Sequence, residues 1–286
     1  MSNATVRRRR LGAELRRLRE SCALTLQEVG DRMECSHAKI SRVELGRTGM
    51  RPKEVRELLD IYGQHDEERR AYLLELARPT KRQKVWWTKY QGSLPAPYYT
   101  YIDLEAAANS IMVYEPSLVH GLLQTEQYAR ATVAGGWKEI SESESQDRVD
   151  ARMLRQQHLK QRREKDGLPR LWIILDESVL HRQVGGPNAF KDQLEHILEA
   201  MEDCKTTVQV MPMKSGAQPG TPGPFTVLSF EMGDPPAVYV ETIAGDVYVE
   251  DESDIDRCNI AMEHLRAIAL SPEDTQREIK RVLSEL

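Results

Sequence analysis

The sequence predicts an all-α N-terminal domain followed by an α+β C-terminal domain with a small sheet. Three observations predict it. Five short stretches with helical apolar spacing follow one another within the first 78 residues, joined by connections of a few residues each. Beyond residue 170 the period changes, and Leu171–Leu175 and Thr206–Val210 read as strands. The charge is also divided. Residues 1–90 hold 21 Lys and Arg against 13 Asp and Glu, a net of +8, whereas the whole chain of 286 residues carries −5. A basic head on an acidic body implies that the head alone approaches a polyanion.

In the head, Leu11, Leu15 and Leu18 share one face of a helix over 11–20. Thr25 with Glu28 three residues on forms a capping box and opens a helix to about Met33. Ser36 caps the next, which runs through Val43 to Leu45 and stops at Gly46. Pro52 opens a fourth helix with Val55, Leu58, Leu59 and Tyr62 as its apolar stripe, closed by Gly63. Residues 66–77 form a fifth, with Tyr72, Leu73 and Leu76 facing inward. The head is placed at 1–78. Residues 79–98, with Pro79, Pro95, Pro97 and Trp86-Trp87, read as a linker or as an arm docked on the second domain.

The second domain is placed at 99–286. Helical spacing covers 101–113, 124–134, 145–164 and 187–203. Strands are expected at 171–175, 206–210, 225–230, 237–242 and 246–249. Two helices close the chain, at 253–270 and from Ser271-Pro272-Glu273-Asp274 onward. No apolar run approaches the roughly 20 residues that span a bilayer, so no membrane is expected. Arg7–Arg10 is not followed by an apolar stretch, so it does not read as a secretion signal. Cys22, Cys35, Cys204 and Cys258 form no metal-spaced pair, which fits a reducing cytoplasm and no zinc site.

The second and third head helices, joined by a tight turn, form a unit that fits the major groove of DNA. Val29, Ile40 and Val43 lock the pair, and Gly30 falls where the helices approach most closely. Ser36, His37, Ala38, Lys39 and Arg42 remain for base edges; an Arg–guanine pair gives about 1–3 kcal/mol of discrimination. Thr25, Gln27, Ser41, Arg47 and Arg51 suit phosphates. Leu24–Val29 together with Ser36–Gly46, closing on Glu44-Leu45-Gly46, resembles the Xre and phage-repressor helix-turn-helix family. That resemblance implies a DNA-binding regulator of a bacterium, and half-sites one helical turn apart require two heads, so a homodimer is expected.

The second domain shows no catalytic set. Asp176-Glu177 are neighbours on a strand and point to opposite faces. The Gly216–Pro224 stretch lacks the GK[ST] of a phosphate loop and reads as a connection. Acidic residues 250–256 lack the central Gly of a calcium loop and read as a helix start. No enzyme, cofactor or metal is expected. Gly121–Thr125, Tyr128-Ala129-Arg130, Arg152, Arg155-Gln156, Asp176-Glu177, Val208–Pro212, Gly223–Phe225 and Tyr239–Thr242 resemble the C-terminal domain of WhiJ-like, antitoxin-like regulators of sporulating, filamentous bacteria. The resemblance implies control of development or secondary metabolism through DNA and a small protein encoded beside the regulator. A small-molecule effector is a further expectation, and an antitoxin that neutralises its neighbour is the alternative reading. Gln124, Thr125, Arg152 and Arg155 are the candidate partner or ligand surface. Against this, Leu122 and Leu123 read as core, Gln124-Thr125 as a cap, and Arg152 and Arg155 as internal partners of Glu177.

Overall fold

The computed structural model describes residues 4–78, 86–90, 92–136, 140–230, 234–243, 245–249 and 251–286. The chain divides into two compact units: residues 1–85 with 230–235, and residues 86–229 with 236–286.

The first unit holds α1 (Ala4–Ser21), α2 (Leu26–Arg32), α3 (His37–Glu44), α4 (Pro52–Ile61) and α5 (Glu67–Ala77). Helix α1 begins at Ala4, not residue 11, so Arg7–Arg10 are helical. The caps form locally as expected. The Thr25 hydroxyl accepts from Glu28 N while Thr25 N donates to the Glu28 carboxylate, and Ser36 Oγ accepts from Lys39 N. One core unites Leu11, Leu15, Val29, Ile40, Val43, Val55, Leu58, Leu59 and Leu73. Tyr72 does not join it. The residue is 38% exposed, with the Arg10 guanidinium 5.1 Å from the centre of its ring.

Glycine sets the closest contacts. A Cβ on Gly12 would lie 2.4 Å from the Glu44 carbonyl oxygen and 2.5 Å from that of Val43, so α1 lies directly on the C-terminal turn of α3. A Cβ on Gly30 would lie 2.8 Å from the Cys35 carbonyl oxygen, where α2 passes the turn into α3.

The second unit opens with a 3-10 turn, Trp86–Tyr90, inside the stretch read as a linker. Trp87 and Tyr90 are buried, and Trp86 stacks on His158 at 5.2 Å. Residues 79–85 and 91 lie outside the described residues. The elements that follow are α6 (Ala96–Ala107), β1 (Ser110–Glu115), α7 (Glu126–Gly136), α8 (Glu142–Asp166), β2 (Arg170–Asp176), α9 (Pro187–Ala200), β3 (Thr206–Met211), β4 (Phe225–Ser229), β5 (Ala237–Thr242), β6 (Gly245–Val249), α10 (Glu252–Ile268) and α11 (Pro272–Glu285).

The strands form one mixed sheet in the order β3-β2-β1-β4-β5-β6. Strands β1, β2 and β3 are parallel, and β4, β5 and β6 continue antiparallel. The continuous helix expected over 101–113 is therefore two elements. It ends at Ala107, and Ser110–Glu115 is the strand at the centre of the sheet. One face packs Tyr114, Ile174, Met211, Val227 and Val238 against Ile255, Met262 and Leu265 of α10. The outer edge of β3 is closed at Val210, whose N–H donates to Thr275 Oγ1 of α11 and whose carbonyl accepts from Leu270 N. The acidic segment before α10 is a helix start, with Asp251 as the cap.

Gly12→Ala is expected to overpack the α1–α3 contact and destabilise the first unit by roughly 1–3 kcal/mol. Urea unfolding of the full chain, followed by circular dichroism, measures it. An unshifted transition would show that the two helices separate freely.

Candidate nucleic-acid interface

Three contacts position α3. Glu44 is its only acidic residue and sits at the helix C-terminus, where a negative charge is disfavoured. Arg19 of α1 compensates. Its Nε and Nη2 bond both Glu44 oxygens at 2.7 and 3.0 Å, and its Nη1 donates to the Leu24 carbonyl at 2.8 Å. The Glu44 side chain is 5% exposed, so removing Arg19 would strand a buried charge, a change that costs about 3 kcal/mol or more. The second contact is Lys39 Nζ on Glu54 Oε1 at 2.6 Å; Glu54 also accepts from Arg51 N at the start of α4. This pairing raises the Lys39 pKa and lowers that of Glu54. The third is the passage of α2 at Gly30.

Ser36, His37, Ala38 and Arg42 are exposed, with Ser36 to Ala38 at the N-terminal end of the helix. Arg42 makes no hydrogen bond or ion pair to another described side chain. Lys39 has a partner that the sequence did not name: its half-exposed ammonium pairs with Glu54 across the approach of α4. Thr25 differs from the expectation. Its hydroxyl donates to Glu28 at 2.8 Å, leaving no proton for a phosphate. Gln27 donates one amide proton to Asp31 at 2.7 Å and keeps another. Ser41 is half-buried, while Arg47 and Arg51 are exposed in the loop after α3. The Arg19–Glu44 and Lys39–Glu54 pairs were not among the sequence candidates. An acidic residue at a helix C-terminus is the one local signal that pointed to Arg19.

The candidate residues of the second unit are brought together, two of them buried and two, Thr125 and Arg152, half-buried. Gln124 and Arg155 are buried, so neither lies on a surface. Arg155 bonds both oxygens of Glu105 at 2.9 and 2.5 Å and lies over the Tyr98 and Tyr101 rings. Arg152 Nη1 donates to Gln124 Oε1 at 2.7 Å, and Gln124 Nε2 donates to the Val119 carbonyl. Neither arginine pairs with Glu177, whose carboxylate accepts from Met213 N. Thr125 Oγ1 accepts from Tyr128 N at the start of α7, and Thr125 N donates to the buried Gln193. Gln156 Nε2 reaches the carbonyls of Gly121 and Gln124. Leu122 and Leu123 are core.

His120 is buried in the same network. Burial first, then the charges of Arg155 and Arg152, push its pKa down to about 3. No group of three or more His, Cys, Asp or Glu among the described residues is placed to hold a metal ion, and no helix among them is long and apolar enough to cross a membrane.

Residues 98–281 match the family described as a domain of unknown function (DUF5753), and residues 10–72 match a helix-turn-helix domain. Neither the curated proteins nor the solved structures give a match.

Neutral His120 contributes stability above its ordinary pKa near 6.5, and this is lost as pH falls toward 3. His120→Gln cannot charge and should remove that loss, up to about 3 kcal/mol at pH 4. Urea titrations of both proteins at pH 7 and pH 4 decide it; parallel losses would place the acid sensitivity elsewhere.

Proposed function

The chain belongs to the DUF5753 family and joins that domain to a helix-turn-helix DNA-binding head, and on this premise we propose that it is a sequence-specific transcription regulator that binds as a dimer. The observation that carries the reading is the exposed face of α3. It presents Ser36, His37, Ala38 and Arg42 and no carboxylate, and residues 1–90 of the chain carry a net charge of +8. Arg42 reads a base, best a guanine through O6 and N7. Ser36 and His37 enter the groove at the helix N-terminus, while Gln27, Arg47 and Arg51 hold phosphates. Two heads on half-sites one helical turn apart give the dimer.

The second domain acts as the regulatory half and not as an enzyme: its most buried charged pair, Arg155 with Glu105, is bonded internally, and Arg152 bonds Gln124. Its resemblance to WhiJ-like, antitoxin-like domains supports control by a small protein or ligand, in development or secondary metabolism in the cytoplasm. The segment Gly121–Thr125, read as part of that resemblance, serves the proposed sensor by wiring the loop after β1 to α8 and α9.

Genome-wide mapping of bound sites supplies the operator. On that DNA, log affinity against log salt should fall with a slope of about −0.9 per neutralised phosphate. A slope near zero would refute the phosphate grip. Arg42→Ala should weaken operator binding about 10-fold or more, the loss of one bidentate base contact, and weaken random DNA much less. Equal losses on both would remove Arg42 from base reading.

A further inference from the structure

Two sequence features left unused above meet in the second unit: the Asp176-Glu177 pair and the Gly216–Pro224 stretch. They flank a cavity of about 310 Å³ at the carboxyl ends of β1, β2 and β3. Its walls include Tyr114, Asp176, Met211, Met213, Gln218 and Gly220. Strand β1 is where the order of the sheet reverses, with β2 and β3 on one side and β4 on the other. Ligands of doubly wound parallel sheets bind outside the carboxyl ends of the strands; here β4 is antiparallel to β1, so the likeness is to the carboxyl ends of β1, β2 and β3 alone.

The cavity is built by specific bonds. Ser178 Oγ donates to the Pro116 carbonyl at 3.0 Å and ties the ends of β1 and β2. Met213 N donates to Glu177 at 2.7 Å and ties the ends of β2 and β3. Over the opening, Gln218 Nε2 donates to the Tyr114 hydroxyl at 2.6 Å, and Thr221 Oγ1 donates to the Gln218 carbonyl at 2.7 Å. Gly220 lies flat on the Tyr114 ring, where a Cβ would approach to 2.4 Å.

The lining chemistry selects the occupant. Asp176 is the single charged residue among the lining residues, and no Lys, Arg or His joins it. One of its oxygens accepts from Ser178 N at 2.9 Å. Burial first, then the charge of Asp176 and a hydrogen bond to it, raise the Tyr114 pKa, so the neutral phenol and Asp176 face the cavity as a bonded pair. Phosphates, nucleotides and carboxylates would meet the Asp176 carboxylate with no Lys, Arg or His among the lining residues. A donor-bearing cation would be matched by Asp176, with two methionines and two prolines against its carbon chain.

We propose that this cavity binds a small aliphatic amine in its ammonium form, with Asp176 as the anchor. This names the ligand class for the regulatory half of the function above. The binding test uses no DNA, so either reading can fail without the other. Full-length protein is titrated calorimetrically with putrescine and with agmatine, and with inorganic phosphate and glutarate as anionic probes. At least one amine should bind and the anions should not. Asp176→Asn keeps an acceptor for Ser178 N and should weaken the amine at least 10-fold. With methyl-labelled methionine, the amine should shift the wild-type Met211 and Met213 resonances and leave Met33 and Met50 in place, a readout that does not depend on the variant folding. Binding of neither amine, preference for an anion, unchanged affinity in Asp176→Asn, or still Met211 and Met213 resonances would each overturn the proposal.

Discussion

The backbone contact between Gly12 and the last turn of α3 is the constraint on which the head depends. Helix α3 has eight residues, and helices that short are marginal in water alone. Its shape and direction come from what surrounds it. With no side chain at residue 12, α1 comes within reach of Arg19 to Glu44, and that pair neutralises the acidic residue at the wrong end of α3. The passage at Gly30 fixes the other side, and the Lys39–Glu54 pair fixes the approach of α4.

The same contacts decide what is left for DNA. Every polar group spent on holding α3 is unavailable for reading a groove. Lys39 pairs with Glu54 in this way, whereas Arg42 makes no such pair among the described side chains. A helix clamped from three sides gives its exposed residues a fixed geometry, which a bidentate contact to a base requires.

Much of this was legible in the sequence because caps and periodicity are local. Thr25 with Glu28, Ser36, Pro52 and Ser271 each announced a helix within four residues. What was not legible depends on distant partners. Strand β1 carries Ile111, Val113 and Tyr114 directly after the apolar spacing of Tyr101, Ile102 and Leu104, so the helical period ran on through it; only pairing with β2 and β4 makes it a strand. Arg155 meets Glu105 across 50 residues of chain, and Glu177 meets a backbone amide of β3's following turn. Charge type told that partners existed, not which ones. Two residues of the candidate surface of the second domain lie elsewhere for the same reason, since Gln124 and Arg155 look exposed by composition and are interior by packing.

That interior network argues for specification over bulk stability. A buried bidentate pair such as Arg155–Glu105 gains little over an apolar replacement of equal volume, because desolvation offsets most of the attraction. Its effect is geometric. Arg152, Gln156 and Gln193 each hold an atom of Gln124, Gly121, Leu123 or Thr125, so the loop leaving β1 has one satisfied arrangement, and alternatives would leave buried donors unpaired. The strand whose carboxyl end this loop extends also supplies Tyr114 to the cavity. A site meant to distinguish one small molecule from another needs walls that do not adapt, and the loop network provides one of them by fixing where β1 ends.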